Sequence, residues 1–191
     1  MTGDPPPARL RALLLPGALV LAAALVVVLG IQLRAARAEL QAEKRKAIFP
    51  DSGQVVPAVH ARTLNGDSVV LGEGAPGTRQ VLFIFNTTCQ ICVSALPGWG
   101  RVYGALVGDA AVSVLAWSQD VDSLTQAYVG RHRLPFRVVV GLPVKYLMLY
   151  HGLGVPTTLV LDAEGTVVYG RSGVLSSAAE DSVVLLAHDR P

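Results

Sequence analysis

The sequence predicts an α/β domain, a mixed sheet covered by helices on both faces, behind one membrane-spanning helix. Three observations carry that expectation. From about residue 54 to the C-terminus, apolar runs of strand length alternate with longer helix-compatible segments. Val81–Phe85 is wholly apolar and Ala111–Trp117 nearly so, as strands buried on both faces are. Ala12–Leu33 carries no charged side chain.

That last stretch explains the composition. The chain has 191 residues, 51% hydrophobic and 16% charged, which is too apolar for a soluble domain alone. Residues 12–33, about 22 residues at helical rise, reach about 33 Å, enough to cross a bilayer core. Residues 1–11 read as a short Pro-rich tail without structure. Residues 34–53 read as a helical stalk and linker: Arg34–Ile48 lacks Gly and Pro, and Phe49-Pro50-Asp51-Ser52-Gly53 ends it. Ala36-Arg37-Ala38 resembles a signal-peptide cleavage site. The apolar run is longer than a usual signal core and Arg34 intervenes, so an uncleaved anchor is the preferred reading. Arg9 and Arg11 precede the span, whereas Arg34, Arg37, Lys44, Arg45 and Lys46 follow it. Taken literally, that bias places the C-terminal domain in the cytoplasm. The net charge of +2 comes with no basic face interleaved with aromatics, so no nucleic-acid partner is expected.

Residues 54–191 form the expected domain. Val55–Thr63 and Ser68–Leu71 flank Asn65-Gly66, a hairpin signal. After the Gly/Pro loop Glu73–Thr78 comes the strand Val81–Phe85. Cys89 to about Leu106 is helical, with a break or kink expected at Pro97. The strand Ala111–Trp117 leads to a helix over Asp120–Arg131. Phe136–Val140 is a strand, and Pro143–Tyr150 a short helix with Pro in its first turn. Thr157–Leu161 and Thr166–Tyr169 form a hairpin around Asp162-Ala163-Glu164-Gly165. Leu175–His188 closes the chain as a helix.

Chemistry concentrates at Cys89-Gln90-Ile91-Cys92. These are the two cysteines of the chain, set between a buried strand, the polar turn Asn86-Thr87-Thr88 and a helix start. A helix N-terminus presents unpaired N–H groups and partial positive charge, which favour thiolate over thiol. The second cysteine, one turn on, is within reach to resolve a mixed disulfide. A zinc site would need a second Cys or His pair, and His60, His132, His151 and His188 are scattered.

This order of elements resembles the thioredoxin fold. Pro97, five residues after Cys92, matches the place where thioredoxin-like proteins kink the active-site helix. Gly154-Val155-Pro156-Thr157-Thr158 resembles their cis-proline loop. Tyr150–Gly165, the extra N-terminal hairpin and the anchor resemble the membrane-tethered TlpA/ResA-like thiol–disulfide oxidoreductases. The resemblance covers roughly residues 54–190. It implies a Cys89–Cys92 pair cycling between dithiol and disulfide, with Cys89 as nucleophile and Cys92 as resolving thiol. It implies a cis Val155–Pro156 bond beside the dithiol, with Thr88, Val155, Pro156 and Thr157 contacting substrate. The implied partners are protein thiols or disulfides and a dithiol electron donor in the membrane or in solution. Lipid would surround residues 12–33. No metal or organic cofactor is implied. Relatives of this layout hold the domain outside the cytoplasmic membrane, which opposes the charge bias and is the expectation adopted.

Several positions depart from the family pattern, among them Gln90-Ile91, which lacks the common proline. Thr88 stands where Trp is usual. Phe83 stands where thioredoxin has a buried Asp. Ala95 stands where the TlpA/ResA branch often has Glu. The carboxylate that shuttles protons is missing from both places, and Asp162 or Glu164 would replace it only if folding brought one close. The accessory proteins of methylamine dehydrogenase maturation are an alternative branch. A copper chaperone using Cys89, Cys92 and His151 is an alternative of another class. A peroxiredoxin-like peroxidase ranks last, for want of that family's usual Pro and Thr ahead of the cysteine.

Overall fold

The computed structural model describes residues 8–48 and 52–189. Two units separate, Met1–Arg45 and Lys46–Pro191. The first is helical: α1 runs over Ala8–Ile48 as a single helix of 41 residues. It begins inside the expected unstructured tail, because Ala8-Arg9-Leu10-Arg11 is made of strong helix formers. Leu19–Glu39 within it is long and apolar enough to cross a membrane, with mean hydropathy 2.3. The expected boundary at Phe49-Pro50-Asp51 lies outside the described residues.

The second unit is built on one seven-stranded sheet, ordered β2-β1-β5-β4-β3-β6-β7. The strands are β1 Val59–Thr63, β2 Ser68–Leu71, β3 Arg79–Phe85, β4 Val112–Ser118, β5 Arg137–Val140, β6 Thr157–Leu161 and β7 Val167–Ser172. The helices are α2 Gln90–Leu106, α3 Asp122–His132, α4 Val144–Leu149 and α5 Ser177–His188. Strands β3, β4 and β5 are parallel, and β6 runs antiparallel to β3. This is a thioredoxin-like mixed sheet with an added N-terminal hairpin.

Strand β3 shows why the apolar run is unbroken. Val81, Phe83 and Phe85 point into one core with Trp99 and Val102 of α2 and Val183 of α5. Leu82 and Ile84 point into the other, with Leu147 of α4 and Leu159 of β6. Both faces are covered, so alternation is lost. Phe83 stacks on Trp99 with ring centroids 4.8 Å apart, and the Trp99 indole donates to Thr158 Oγ1 at 2.9 Å.

Two local expectations are corrected. The first strand starts at Val59, not Val55. Pro57 cannot donate to a ladder, and Val55 instead makes an isolated bridge to Thr166. Helix α2 is continuous through Pro97. Buried Cys92, Ala95, Trp99, Val102 and Leu106 hold its inner face to the sheet on both sides of the proline. At the Asn65-Gly66 turn, Gly66 takes φ 94°, which a side chain would resist.

The carboxyl ends of β3, β4 and β5 share one edge of the sheet. Ligands of parallel sheets meet such edges. Strand β3 ends at Phe85, so the loop 86–88 and the start of α2 lie there.

Candidate active site

Cys89 is the N-cap of α2, in extended conformation (φ −80°, ψ 107°), and its sulfur accepts the Cys92 backbone N–H at 3.1 Å. A helix N-terminus leaves such N–H groups without intrahelical partners, and the sulfur fills one vacancy. Cys89 is half-buried and Cys92 fully buried, and both are free. Burial, aided by the Cys89 sulfur, pushes the Cys92 thiol up to about 12, against the pull of an Asn86 backbone hydrogen bond. Cys89 is thus the partly exposed member of the pair, and Cys92 stays a protonated thiol through neutral pH.

The loop before Cys89 is tied down by Asp120, just beyond the end of β4. Its Oδ2 accepts the Thr87 N–H at 2.6 Å, and its Oδ1 accepts from Asn86 Nδ2 at 3.1 Å. Asn86 Oδ1 in turn accepts from the Thr88 N–H at 2.9 Å and the Thr88 hydroxyl at 2.6 Å. Sequence reasoning missed Asp120 as a site residue. Its one signal was its place at the end of a parallel strand, on the edge that carries the cysteines.

The Val155–Pro156 bond is cis. Cys89 Sγ lies 3.9 Å from the Val155 carbonyl oxygen, so this loop and the dithiol meet. Thr88 is exposed at the rim, Val155 half-buried and Pro156 buried. Thr157 turns inward: it is fully buried, its hydroxyl bonded to the Gly154 carbonyl and, at 2.7 Å, to Ser172 Oγ. Its side chain supports the loop and offers no open face to a substrate.

Neither candidate substitute for the missing carboxylate is near. Thr157 pairs with Ile84 at the cysteine end of β3, whereas Leu161 pairs with Gln80 at the other end. Asp162 follows Leu161, and its Oδ1 accepts the N–H groups of Glu164 and Thr166, at 3.1 and 2.7 Å, to close the hairpin. The carboxylate whose charge does reach Cys92 is Asp120. Tyr128 of α3 also joins this neighbourhood. Its ring stacks on Phe85 at 5.2 Å, and its hydroxyl is buried with no hydrogen-bond partner. His151 sits beyond α4 at φ 49°. Among the described residues, no three His, Cys, Asp or Glu side chains gather at metal-ligand spacing. Cys89, Cys92 and His151 do not form such a group.

Known proteins resemble this chain in sequence and in fold. The AhpC/TSA family matches residues 52–170. Sporulation thiol-disulfide oxidoreductase A of Bacillus subtilis is 23% identical over 141 residues, 69% of this chain and 84% of that protein. Thiol-disulfide oxidoreductase ResA of Halalkalibacterium halodurans is 27% identical over 111 residues, 58% of this chain and 62% of that protein. The thioredoxin domain of a Bacteroides vulgatus thiol-disulfide oxidoreductase superposes with a TM-score of 0.62 at 20% identity, over 72% of this chain and 99% of that one.

Proposed function

Because the chain belongs to the AhpC/TSA family, we propose that its Cys89–Cys92 pair performs thiol–disulfide exchange with protein substrates. The observation that carries this reading is the asymmetry of the pair, a partly exposed Cys89 at the N-cap of α2 and a buried Cys92 one turn on. The two relatives named as thiol–disulfide oxidoreductases support the same chemistry.

In the reducing direction, Cys89 as thiolate attacks one sulfur of a substrate disulfide. The substrate S–S bond breaks, a mixed disulfide forms, and the departing substrate sulfur takes a proton from water. Cys92 gives its proton to solvent and attacks Cys89 Sγ. The Cys89–substrate bond breaks, the second substrate sulfur is protonated, and the protein keeps the Cys89–Cys92 disulfide. Two electrons pass from the dithiol to the substrate. Thr88, Val155 and Pro156 line the approach, with the exposed Ile91 and Leu153 offering apolar contact to an unfolded polypeptide.

A membrane or soluble dithiol donor would reduce the protein again, with no metal or organic cofactor in the cycle. The apolar helix over Leu19–Glu39 supports tethering to a membrane, and the TlpA/ResA resemblance favours a domain on the extracytoplasmic side. The full-length protein in detergent, given a dithiol donor, is expected to reduce the disulfides of insulin. Cys89→Ser and Cys92→Ser should each abolish turnover. Turnover that survives both substitutions would refute the reading.

A further inference from the structure

The chain between α4 and β6 has to cross the site. Helix α4 follows β5, whereas β6 lies beyond β3 in the sheet, so residues 150–156 pass over the ends of β4 and β3. This is the loop that brings the Val155 carbonyl within 3.9 Å of Cys89 Sγ. A segment outside the strand ladder needs other partners for its backbone if it is to hold one position.

Those partners meet at Gly152. Its N–H donates to the Leu147 carbonyl at 2.8 Å, and its carbonyl accepts from Gln119 Nε2 at 2.7 Å. The loop also lies low on the core here. A Cβ at Gly152 would stand 2.5 Å from Ile84 Cδ1, so a glycine is what permits the close approach. Gln119 is the first residue after β4, and its own N–H donates to the Phe85 carbonyl at 3.0 Å. Asp120, the next residue, holds the loop in front of Cys89 through the Thr87 N–H and Asn86. The turn that carries both is fixed in its place: Ser118 Oγ accepts the Asp120 N–H at 3.2 Å and is hydrogen-bonded to Thr125 Oγ1 at 2.7 Å. Two consecutive side chains at the end of one strand therefore reach the two loops that meet at Cys89.

We propose that Gln119 is a positioning residue for polypeptide substrates, its amide fixing the 151–155 loop at the height from which Val155 faces the Cys89 sulfur. The inference rests on the exchange reaction proposed above and divides its supports in two. Asp120 sets the nucleophile, and Gln119 sets the surface that receives the chain around the substrate disulfide. Gln119 passes no proton and no electron. A polypeptide disulfide brings backbone and side chains against Val155 and the exposed Leu153, so it depends on where this loop stands. A small aromatic disulfide has no chain to place there, and its reaction depends on the Cys89 sulfur.

Two variants of the full-length protein in detergent test this. Gln119→Leu removes the donor. Gln119→Glu keeps the shape and at neutral pH presents only acceptors to the Gly152 carbonyl. Steady-state insulin reduction with dithiothreitol as donor gives KM and kcat, and single-turnover reaction with dithiobis(nitrobenzoate) gives attack by Cys89 alone. Both variants are expected to raise KM for insulin about five-fold, within the range of one lost hydrogen bond. Their kcat and their rate with the aromatic disulfide should each change by less than about two-fold. Asp120→Ala provides the contrast, slowing both substrates. A role in packing alone would leave Gln119→Glu with the wild-type KM, and that result would overturn the proposal. So would an equal loss towards both substrates, or loss of cooperative melting in both variants, since either would make Gln119 a support of the fold. Wild-type protein that attacks neither disulfide would overturn the exchange reaction and this proposal together.

Discussion

The backbone N–H of Cys92 points at the sulfur of Cys89 across 3.1 Å, yet the two thiols occupy opposite environments. Cys89 reaches the surface beside the Val155 carbonyl, and Cys92 is sealed beneath α2. The same helix turn that brings the residues together divides their labour.

Alkaline pH should expose that division. The Cys92 thiol has an ordinary value of 9.0 and is pushed up to about 12 by burial. The unfolded chain therefore gives up this proton before the folded chain does. The stabilising contribution is complete below pH 9 and is lost as pH rises towards 12. Urea midpoints of the reduced protein should fall across that window. Tyr128 and Tyr150, also raised by burial, add to the fall. Cys92→Ala should flatten the slope, whatever it does to the absolute midpoint. An unchanged slope would mean that Cys92 is not sealed.

Asp120 should matter to rate as well as to stability. Its carboxylate accepts from both the Thr87 N–H and the Asn86 side chain. Asp120→Ala leaves a part-buried N–H without its acceptor, at a cost of about 1–3 kcal/mol. It also loosens the loop that sets Cys89 at the helix start. Slower attack by Cys89, together with a lower melting temperature, is the expected outcome. Asp120→Asn, which keeps an acceptor, should fall between that variant and the wild type. Stopped-flow exchange and thermal melts read the two effects separately.

The Glu180–Arg101 pair locks α5 to α2. Glu180 is buried, and both its oxygens accept from Arg101 at 2.7 Å. The bonds from the guanidinium hold the Glu180 carboxyl below its ordinary value. Its contribution is present above the normal carboxylate range and is lost as pH falls through it. Arg101 is largely exposed, so solvent screens the pair, and Arg101→Gln should lower stability only modestly. Gly98→Ala tests the same contact from the other side, since a Cβ there would stand 2.7 Å from Glu180 Oε1. Denaturant midpoints should drop for both variants, with exchange activity retained.

Removal of residues 1–45 should leave a soluble domain. That segment separates from Lys46–Pro191 as its own unit. Cooperative unfolding and undiminished insulin reduction are expected. A molten or insoluble product would mean that the domain needs its N-terminal helix.

Much of the fold was legible because it rests on local signals. The apolar run of β3, the Asn65-Gly66 turn and the Cys89–Cys92 spacing each declare themselves within a few residues. The expected start of β1 at Val55 failed because Pro57 removes a ladder donor, a signal that was present but outweighed by the apolar residues around it. Of the break or kink expected at Pro97, no break occurs, because tertiary burial of α2 outweighs one lost hydrogen bond. The site was legible at its cysteines and opaque around them. Asp120 and Tyr128 come from segments more than 30 residues downstream of Asn86 and Cys92, and the topology alone unites them. Asp162 illustrates the converse: it follows the strand that carries Thr157, but β6 runs away from the cysteines and takes it to the far end of the sheet.

Trapping tests the central claim most directly. Full-length Cys92→Ser and Cys89→Ser proteins, reduced and offered a disulfide-bonded protein such as insulin, are run on non-reducing gels and analysed by peptide mass. The expected result is a stable mixed disulfide on Cys89 in Cys92→Ser, dissolved by dithiothreitol, and none in Cys89→Ser. An adduct on Cys92 in Cys89→Ser, with none on Cys89 in Cys92→Ser, would reverse the roles and contradict the asymmetry from which the function is inferred.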